Sequence, residues 1–237
     1  MDLNKNKDFI TIGDKKNSAI TVLWFHGYGS NNWSFEPVMK KLNMDLDEKL
    51  FVVMPNAPVV NEKKSWYPLP ETDNEGVIKE NYGGLVESKG MIYNFFSMLD
   101  LDSSKTLIVG GFSQGAALSL SLMFDNKLRI DGCVALSGYM PCEEQFTNNV
   151  DSNTKIFIAH GYDDKAISFE SYKKTLNFLK NKDRFISNYS IFSFYEVNVY
   201  ENNSSPESKI KNKYFTGKGN VENLAFAYRI AKKFKYK

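Results

Sequence analysis

Histidine is scarce in this chain: its 237 residues hold two, His26 and His160, and none follows position 160. Any reaction that needs an imidazole must draw on these two. Cysteine is equally scarce, with Cys133 and Cys142 alone. Such a pair fits a reducing compartment better than a disulfide-stapled secreted scaffold. With no His or Cys cluster, the adjacent carboxylates Asp163 and Asp164 make a poor metal site, and no metal or other cofactor is expected. Charge of one sign is missing too: 30 Lys and Arg against 28 Asp and Glu leave a net +2, no strong field for nucleic acid. No long apolar run exists. The longest, 19–25, is interrupted by Thr21 and falls far short of the roughly 20 residues a membrane span needs. Residues 1–8 are polar and lysine-rich, without an apolar signal-peptide core, and Asp2 stands where myristoylation requires glycine. The expectation is a soluble, cytoplasmic protein with no stable membrane insertion.

What is present is an alternation of short β-branched runs and longer amphipathic ones. Segments 20–25, 50–54, 106–109, 133–136 and 155–159 are near-continuously apolar, as in a parallel sheet covered on both faces. Helical spacing is legible over 33–42, 85–99, 114–124, 169–179 and 221–234. Residues 181–216 are harder to read: 189–200 is strand-like, 201–208 a polar loop, and 209–215 a second candidate strand. Without repeats or a Pro, Gly or Ser-rich linker, one α/β domain over 1–237 is the economical reading.

Between the third apolar run and a helix dense in Ala and Leu stands Gly111-Phe112-Ser113-Gln114-Gly115. Gly-x-Ser-x-Gly in that context is a nucleophile elbow, which exposes the serine Oγ on a strained turn beside a helix N-terminus. The helix end offers free N–H groups to a developing oxyanion. The triplet alone would arise by chance in about one chain in ten of this length, so its strand–turn–helix setting carries the inference. The first apolar run ends in His26-Gly27-Tyr28-Gly29-Ser30. That Gly-rich loop is placed to give a second donor, so that Tyr28 N–H and Gln114 N–H form an oxyanion pair. His26 reads as a residue bracing this loop, not as a base.

These segments, in this order, resemble the acyl-protein thioesterase, or phospholipase/carboxylesterase, branch of the α/β-hydrolases. Phe25-His26-Gly27-Tyr28-Gly29 resembles its oxyanion loop and Pro55-Asn56-Ala57-Pro58 its proline-flanked turn. Ser65-Trp66-Tyr67 is similar to its segment beside the substrate groove. The elbow with Ala116-Ala117-Leu118-Ser119-Leu120, the strand end Leu136-Ser137-Gly138-Tyr139-Met140-Pro141 and the loop His160-Gly161-Tyr162-Asp163-Asp164 complete the match. The resemblance implies an α/β-hydrolase fold with a mostly parallel central sheet and helices on both faces. It makes Ser113 the nucleophile and Asp164 the acid, with Asp163 the competing choice, and places Trp66, Tyr67, Tyr139 and Met140 at the acyl site. His160 matches a family position that is not the base. The implied substrate is an acyl ester or thioester, acylated proteins included; no nucleic-acid partner is implied, and the oligomeric state is not legible.

One departure is decisive for chemistry. The family places its catalytic histidine in a Gly-x-Gly-His loop before the last helix, and here that loop reads Gly217-Lys218-Gly219-Asn220. If the last strand is instead 189–200, the following loop, Glu201-Asn202-Asn203-Ser204, lacks a histidine as well. Asn220 can hydrogen-bond but has no usable basicity. It is also a favoured helix N-cap, and Glu222 in the next turn suits the helix dipole. Lys218 as a base would need strong desolvation. Two readings follow: a serine hydrolase with weak or lost turnover, or a hydrolase-derived protein that binds an acyl chain or a protein partner.

Overall fold

The computed structural model of the chain describes residues 9–75, 78–148, 150, 154–161 and 164–182. An edge strand β1 (Phe9–Ile12) precedes β2 (Ile20–Phe25), a 3-10 turn (Asn32–Phe35) and helix α1 (Glu36–Asp45). Strand β3 (Leu50–Pro55) follows, then two small hairpins, β4 (Val59–Val60) with β5 (Lys63–Lys64) and β6 (Glu71–Thr72) with β7 (Ile78–Lys79). Helix α2 (Tyr82–Met98), β8 (Thr106–Phe112), α3 (Gln114–Leu122), β9 (Gly132–Leu136), β10 (Lys155–Ala159) and α4 (Phe169–Lys182) complete the described chain.

Six strands form one sheet in the order β1-β3-β2-β8-β9-β10. All neighbours are parallel except β1, which lies antiparallel on β3. The sheet is buried on both sides because side chains alternate faces along a strand. Leu23 and Phe25 of β2 join Phe51 and Val53 of β3 in one core, with Leu85, Ile92 and Phe95 of α2, Leu118 of α3 and Tyr172 of α4. Val22, Trp24, Val52 and Met54 point the other way and pack with Phe35, Val38 and Met39. That division explains why β2 and β3 read as continuous apolar runs instead of alternating ones.

The helices start where the sequence offers caps. Asn81 Oδ1 accepts from Gly84 N at 2.8 Å at the head of α2, and Asn31 Oδ1 accepts from Trp33 N at 3.0 Å. Pro37 sits in the first turn of α1, where its missing N–H costs nothing. The 33–42 helical expectation is therefore split: the first turn is 3-10, and the α-helix runs later, to Asp45. Helix α2 begins three residues before the expected 85, because the cap lies at Asn81. Strand β8 extends past 109 through Gly110, Gly111 and Phe112. The edge strand β1 and the two hairpins were not anticipated. The segment 183–216 and the 221–234 helix lie outside the described residues, as do Asp163, Lys218 and Asn220.

Register fixes where the functional loops emerge. Phe25 pairs with Gly111, Phe112 with Leu136, and Leu136 with Ala159. The next residues along each strand, His26, Ser113, Ser137 and His160, therefore leave the sheet along a single rim. In open parallel sheets ligands bind at this carboxyl rim.

Candidate active site

Ser113 is the sharp bend between β8 and α3, with φ +54° and ψ −118°. A non-glycine residue there is strained and persists only if its surroundings hold it. The surroundings are backbone. Ser113 N donates to Leu136 O at 2.9 Å, and Ala116 N and Ala117 N donate back to Ser113 O at 3.0 and 3.1 Å. The two elbow glycines allow this approach: a Cβ on Gly115 would sit 2.1 Å from Phe25 O, and one on Gly111 would sit 2.4 Å from the Gly115 carbonyl carbon. A third contact comes from the loop after β9, where a Cβ on Gly138 would sit 2.5 Å from Ala116 Cβ. The serine is half-buried, and its Oγ has no hydrogen-bond partner among the described residues.

Two backbone donors converge on this rim. Gln114 is the first residue of α3, so its N–H has no intrahelical acceptor. Tyr28 N–H, on the turn after β2, donates to no described residue. Gly27 brings that turn close: a Cβ there would lie 3.3 Å from Ser113 Cβ.

The Gln114 side chain does separate work. It is buried, and its Oε1 accepts from Trp66 N at 3.0 Å. Its Nε2 donates to Tyr67 O at 2.7 Å and to Ser65 Oγ at 3.1 Å. The carboxamide thus ties the elbow to the strap Ser65-Trp66-Tyr67. Trp66 passes the connection on, its Nε1–H donating to His26 O at 2.7 Å, and its ring packs edge-on against Phe25 at 5.2 Å.

His26 is buried and fully committed. Ala57 N–H donates to its Nε2 at 3.0 Å, and its Nδ1 lies 2.8 Å from Gly27 O. A carbonyl can only accept, so Nδ1 carries the proton and Nε2 the lone pair. Burial pushes its pKa down to about 4, against the opposing bond to Gly27 and aided by Lys64. This ring is a neutral brace between the β2 loop and the turn after β3, as its sequence context suggested.

On the far side, the loop after β10 carries Asp164. Its Oδ1 accepts from Ala166 N at 2.8 Å and Ile167 N at 3.0 Å, an Asx-type turn that holds the carboxylate without help from elsewhere. Its Oδ2 lies 3.8 Å from His160 Nε2, beyond hydrogen-bond reach. His160 Nε2 instead donates to Ile167 O at 2.8 Å, and its ring stacks on Tyr172 at 5.3 Å. It is buried and braces the Asp164 loop. Among the described residues no group that could serve as a base hydrogen-bonds Ser113 Oγ.

Of the four residues expected at an acyl site, Trp66, Tyr67 and Met140 are buried and Tyr139 is half-buried. Met140 N donates to Thr175 Oγ1 at 2.8 Å, pinning the β9 loop to α4. Burial, first, and then the Glu80 carboxylate hold the Tyr139 hydroxyl well above the usual tyrosine range. Burial likewise raises Tyr67, with Tyr139 and Glu80 adding to it. Glu80 also accepts from Cys142 N, so it fastens the β9 loop to the start of α2. Among the described residues no cluster of His, Cys, Asp or Glu could hold a metal.

The profile of the Phospholipase/Carboxylesterase family matches residues 6–195. The chain belongs to that family. Among its relatives, acyl-protein thioesterase 1 of Yarrowia lipolytica is 29% identical over 190 residues, covering 74% of this chain and 83% of the relative. Acyl-protein thioesterase 1 of Candida albicans is 30% identical over 178 residues, covering 67% and 76%. Among solved structures, acyl-protein thioesterase 2 of Zea mays superposes with a TM-score of 0.64 at 19% identity, covering 93% of this chain and 98% of that one. A Bacillus cereus carboxylesterase also gives 0.64 at 19% identity, covering 80% and 85%. These likenesses, with the mostly parallel sheet, establish the α/β-hydrolase fold.

Within this phospholipase/carboxylesterase member, the elbow, the Tyr28 turn and the Asp164 loop all open on one sheet rim. The bracing roles of Ser65, Gly138, Glu80 and the Gln114 side chain were not anticipated. For Gln114 a signal existed: it is an amide at the head of a helix whose nine residues are all buried. A buried amide must find partners. No helix among the described residues is long and apolar enough to cross a membrane.

Proposed function

We propose that this chain, as one domain over 1–237, is a cytoplasmic serine hydrolase of the carboxylesterase or acyl-protein thioesterase type. In this reading Ser113 Oγ attacks the acyl carbonyl and the Tyr28 and Gln114 N–H groups receive the oxyanion; the ester C–O or thioester C–S bond then breaks, the alcohol or thiol leaves with the proton the serine gave up, and water cleaves the acyl-serine to release the carboxylic acid and restore Ser113. Asp164 is the acid, and Trp66, Tyr67, Tyr139 and Met140 build the wall of the acyl site. The observation that carries the proposal is Ser113 itself, held at positive φ beside two uncommitted backbone donors. With φ +54° and ψ −118° Ser113 lies outside the left-handed helical well as well, and outliers of that kind cluster at active sites.

A second reading has its own observation. Both histidines are committed to bracing, through Ala57 and Gly27 at His26 and through Ile167 at His160; with them the reading takes from the sequence resemblance that Asn220 stands where the family carries its base. Loss of that base costs roughly 10⁶ in kcat, and the oxyanion hole and binding leave roughly 10³–10⁴ over water. On this reading the protein retains acyl ligands or a partner and turns over little.

Short p-nitrophenyl esters and a fluorophosphonate probe separate the two. The hydrolase reading expects slow ester cleavage and labelling, both abolished by Ser113→Ala. Absence of both would refute it, and co-purifying lipid identified by mass spectrometry would favour the binding reading. Asn220→His is expected to raise esterase activity by roughly 10²–10⁴-fold, the usual contribution of a positioned base. No gain would show that residue 220 does not face Ser113.

A further inference from the structure

The turn after β2 leaves a single main-chain donor unused while its neighbours are engaged. Gly27 O accepts from Ser30 N at 3.1 Å, and Gly29 N donates to Lys64 O at 2.8 Å. Gly29 has φ +68°, as the third residue of a type II turn over 27–30 requires. Tyr28 N–H, between them, donates to no described residue.

Tyr28 N–H and Gly27 C=O belong to one planar trans peptide, so they point in opposite directions. Whatever holds the carbonyl therefore aims the donor. Besides Ser30 N, the hold on Gly27 O is His26 Nδ1–H at 2.8 Å. The imidazole lies on the β3 side of β2, since its Nε2 accepts from Ala57 N just past the end of β3. Ser113 follows β8 on the other side of β2, in the sheet order β3-β2-β8. With the carbonyl drawn toward the ring, the N–H is turned toward the elbow.

Trp66 seats the imidazole in turn. The two rings lie 5.2 Å apart at 43°, and the indole Nε1–H donates to His26 O at 2.7 Å. Trp66 N donates to Gln114 Oε1 at 3.0 Å, and Gln114 N–H is the other candidate oxyanion donor. The two donors thus terminate one hydrogen-bonded chain that runs from Gln114 through Trp66 and His26 to the Gly27–Tyr28 peptide. Trp66, His26 and Gln114 are all buried, and hydrogen bonds in a dry interior are stronger than those in water.

We propose that Trp66 and His26 are positioning residues for the oxyanion hole: the indole sets the gap between the two donors, and the imidazole sets the direction of Tyr28 N–H. The inference rests on the hydrolase reading for the use made of those donors. It goes beyond that reading in giving the strap Ser65-Trp66-Tyr67 a task separate from lining the acyl site. The stakes are large, because misplacement by about 1 Å can cost roughly 10²-fold and loss of an oxyanion donor roughly 10²–10³-fold.

The test compares two ligands of the full chain at equilibrium. Octylboronic acid bonds its boron to Ser113 Oγ, the hydroxyl proton passes to buffer, and the tetrahedral adduct carries the negative charge. Octanamide stays trigonal and neutral. Equilibrium binding needs no general base, so the comparison holds whatever residue 220 contributes. Trp66→Phe keeps an aromatic ring and removes the indole N–H. His26→Leu removes the side-chain hold on Gly27 O, and His26→Asn keeps a side-chain N–H beside that carbonyl. Trp66→Phe and His26→Leu are expected to weaken the boronic acid roughly 10–10²-fold and to leave octanamide unchanged, with His26→Asn recovering most of the loss. A second readout needs no ligand. In protein carrying isotope-labelled tyrosine, the Tyr28 amide resonance, identified by its loss in Tyr28→Phe, is expected to move in Trp66→Phe and His26→Leu and to return toward its wild-type position in His26→Asn. Should His26→Leu not fold, Trp66→Phe carries both readouts. Equal weakening of the two ligands overturns the proposal, because it marks damage to the acyl site as a whole. So does a Tyr28 resonance unmoved in the variants. If the wild type binds no boronic acid while the resonance moves as expected, the hydrolase reading fails and the positioning by Trp66 and His26 stands.

Discussion

Replacing Gln114 by leucine keeps the volume of its side chain and removes its polarity, which isolates the tie between elbow and strap. Trp66 N–H would lose its acceptor, now at 3.0 Å. A buried amide donor left unpaired costs about 1–3 kcal/mol. Tyr67 O would lose the carboxamide donor at 2.7 Å but keep Ser65 Oγ at 2.6 Å, a smaller loss of about 0.5–1 kcal/mol. The leucine returns little, because the pocket around it is lined by backbone polar groups. The expected destabilisation is about 2–4 kcal/mol, measured by urea unfolding at neutral pH. Gln114→Glu sharpens the test. A carboxylate keeps an acceptor for Trp66 N but sets a negative oxygen against Tyr67 O. Its folded pKa would be raised, so the penalty is present above the ordinary glutamate range and relieved as pH falls and the acid becomes protonated. Wild type and Gln114→Glu should therefore converge toward pH 4, whereas Gln114→Leu should not. A Gln114→Leu cost below about 0.5 kcal/mol, inside the range of a surface change, would refute the account of the carboxamide as a buried tie.

Acid should weaken the fold through His26. Its folded pKa of about 4 lies below the ordinary 6.5, so the unfolded chain takes up the proton first, and stability present above pH 6.5 is lost as pH falls toward 4. At about 1.4 kcal/mol per pH unit the loss sums to about 3 kcal/mol, read as the difference between wild type and His26→Gln in urea titrations; parallel curves would contradict it. Gly115→Ala should distort the elbow and cost at least about 2 kcal/mol, since its new methyl would meet Phe25 O at 2.1 Å; an unchanged melting temperature would show that the helix shifts freely. Lys89 is buried and pairs with Asp125 at 2.7 Å, so Lys89→Met should cost about 3 kcal/mol. Adding Asp125→Asn should restore much of that, and a double variant no better than the single one would argue against the ion pair as the cause.

The sheet was legible in the sequence because its strands are buried on both sides and cannot hide among polar residues. Segments 20–25 and 155–159 match β2 and β10 residue for residue. The end of β8 was hidden by Gly111, which reads as part of the elbow turn but lies in the strand, with Phe25 and Gly115 crowding the space a side chain would fill. Strand β1 was missed for a different reason: Phe9 and Ile10 are only half-buried at the sheet edge, so the pattern is short and weak. At the site, residues whose identity is set by backbone geometry, Ser113, Gly111 and Gly115, could be found from spacing. Residues that act through contacts distant in sequence could not. Glu80 and Cys142, or Gln114 and Trp66, meet only after the sheet has brought the loops together.

The carboxylate at 164 is tethered by amides two and three positions along its own loop. It therefore stays ordered whether or not an imidazole ever reaches it. A site assembled this way can vary in one loop without loosening its neighbours, so selection for folding alone would keep the carboxylate in place whatever the facing loop carries. Such modular anchoring separates the order of the loop from the chemistry done beside it.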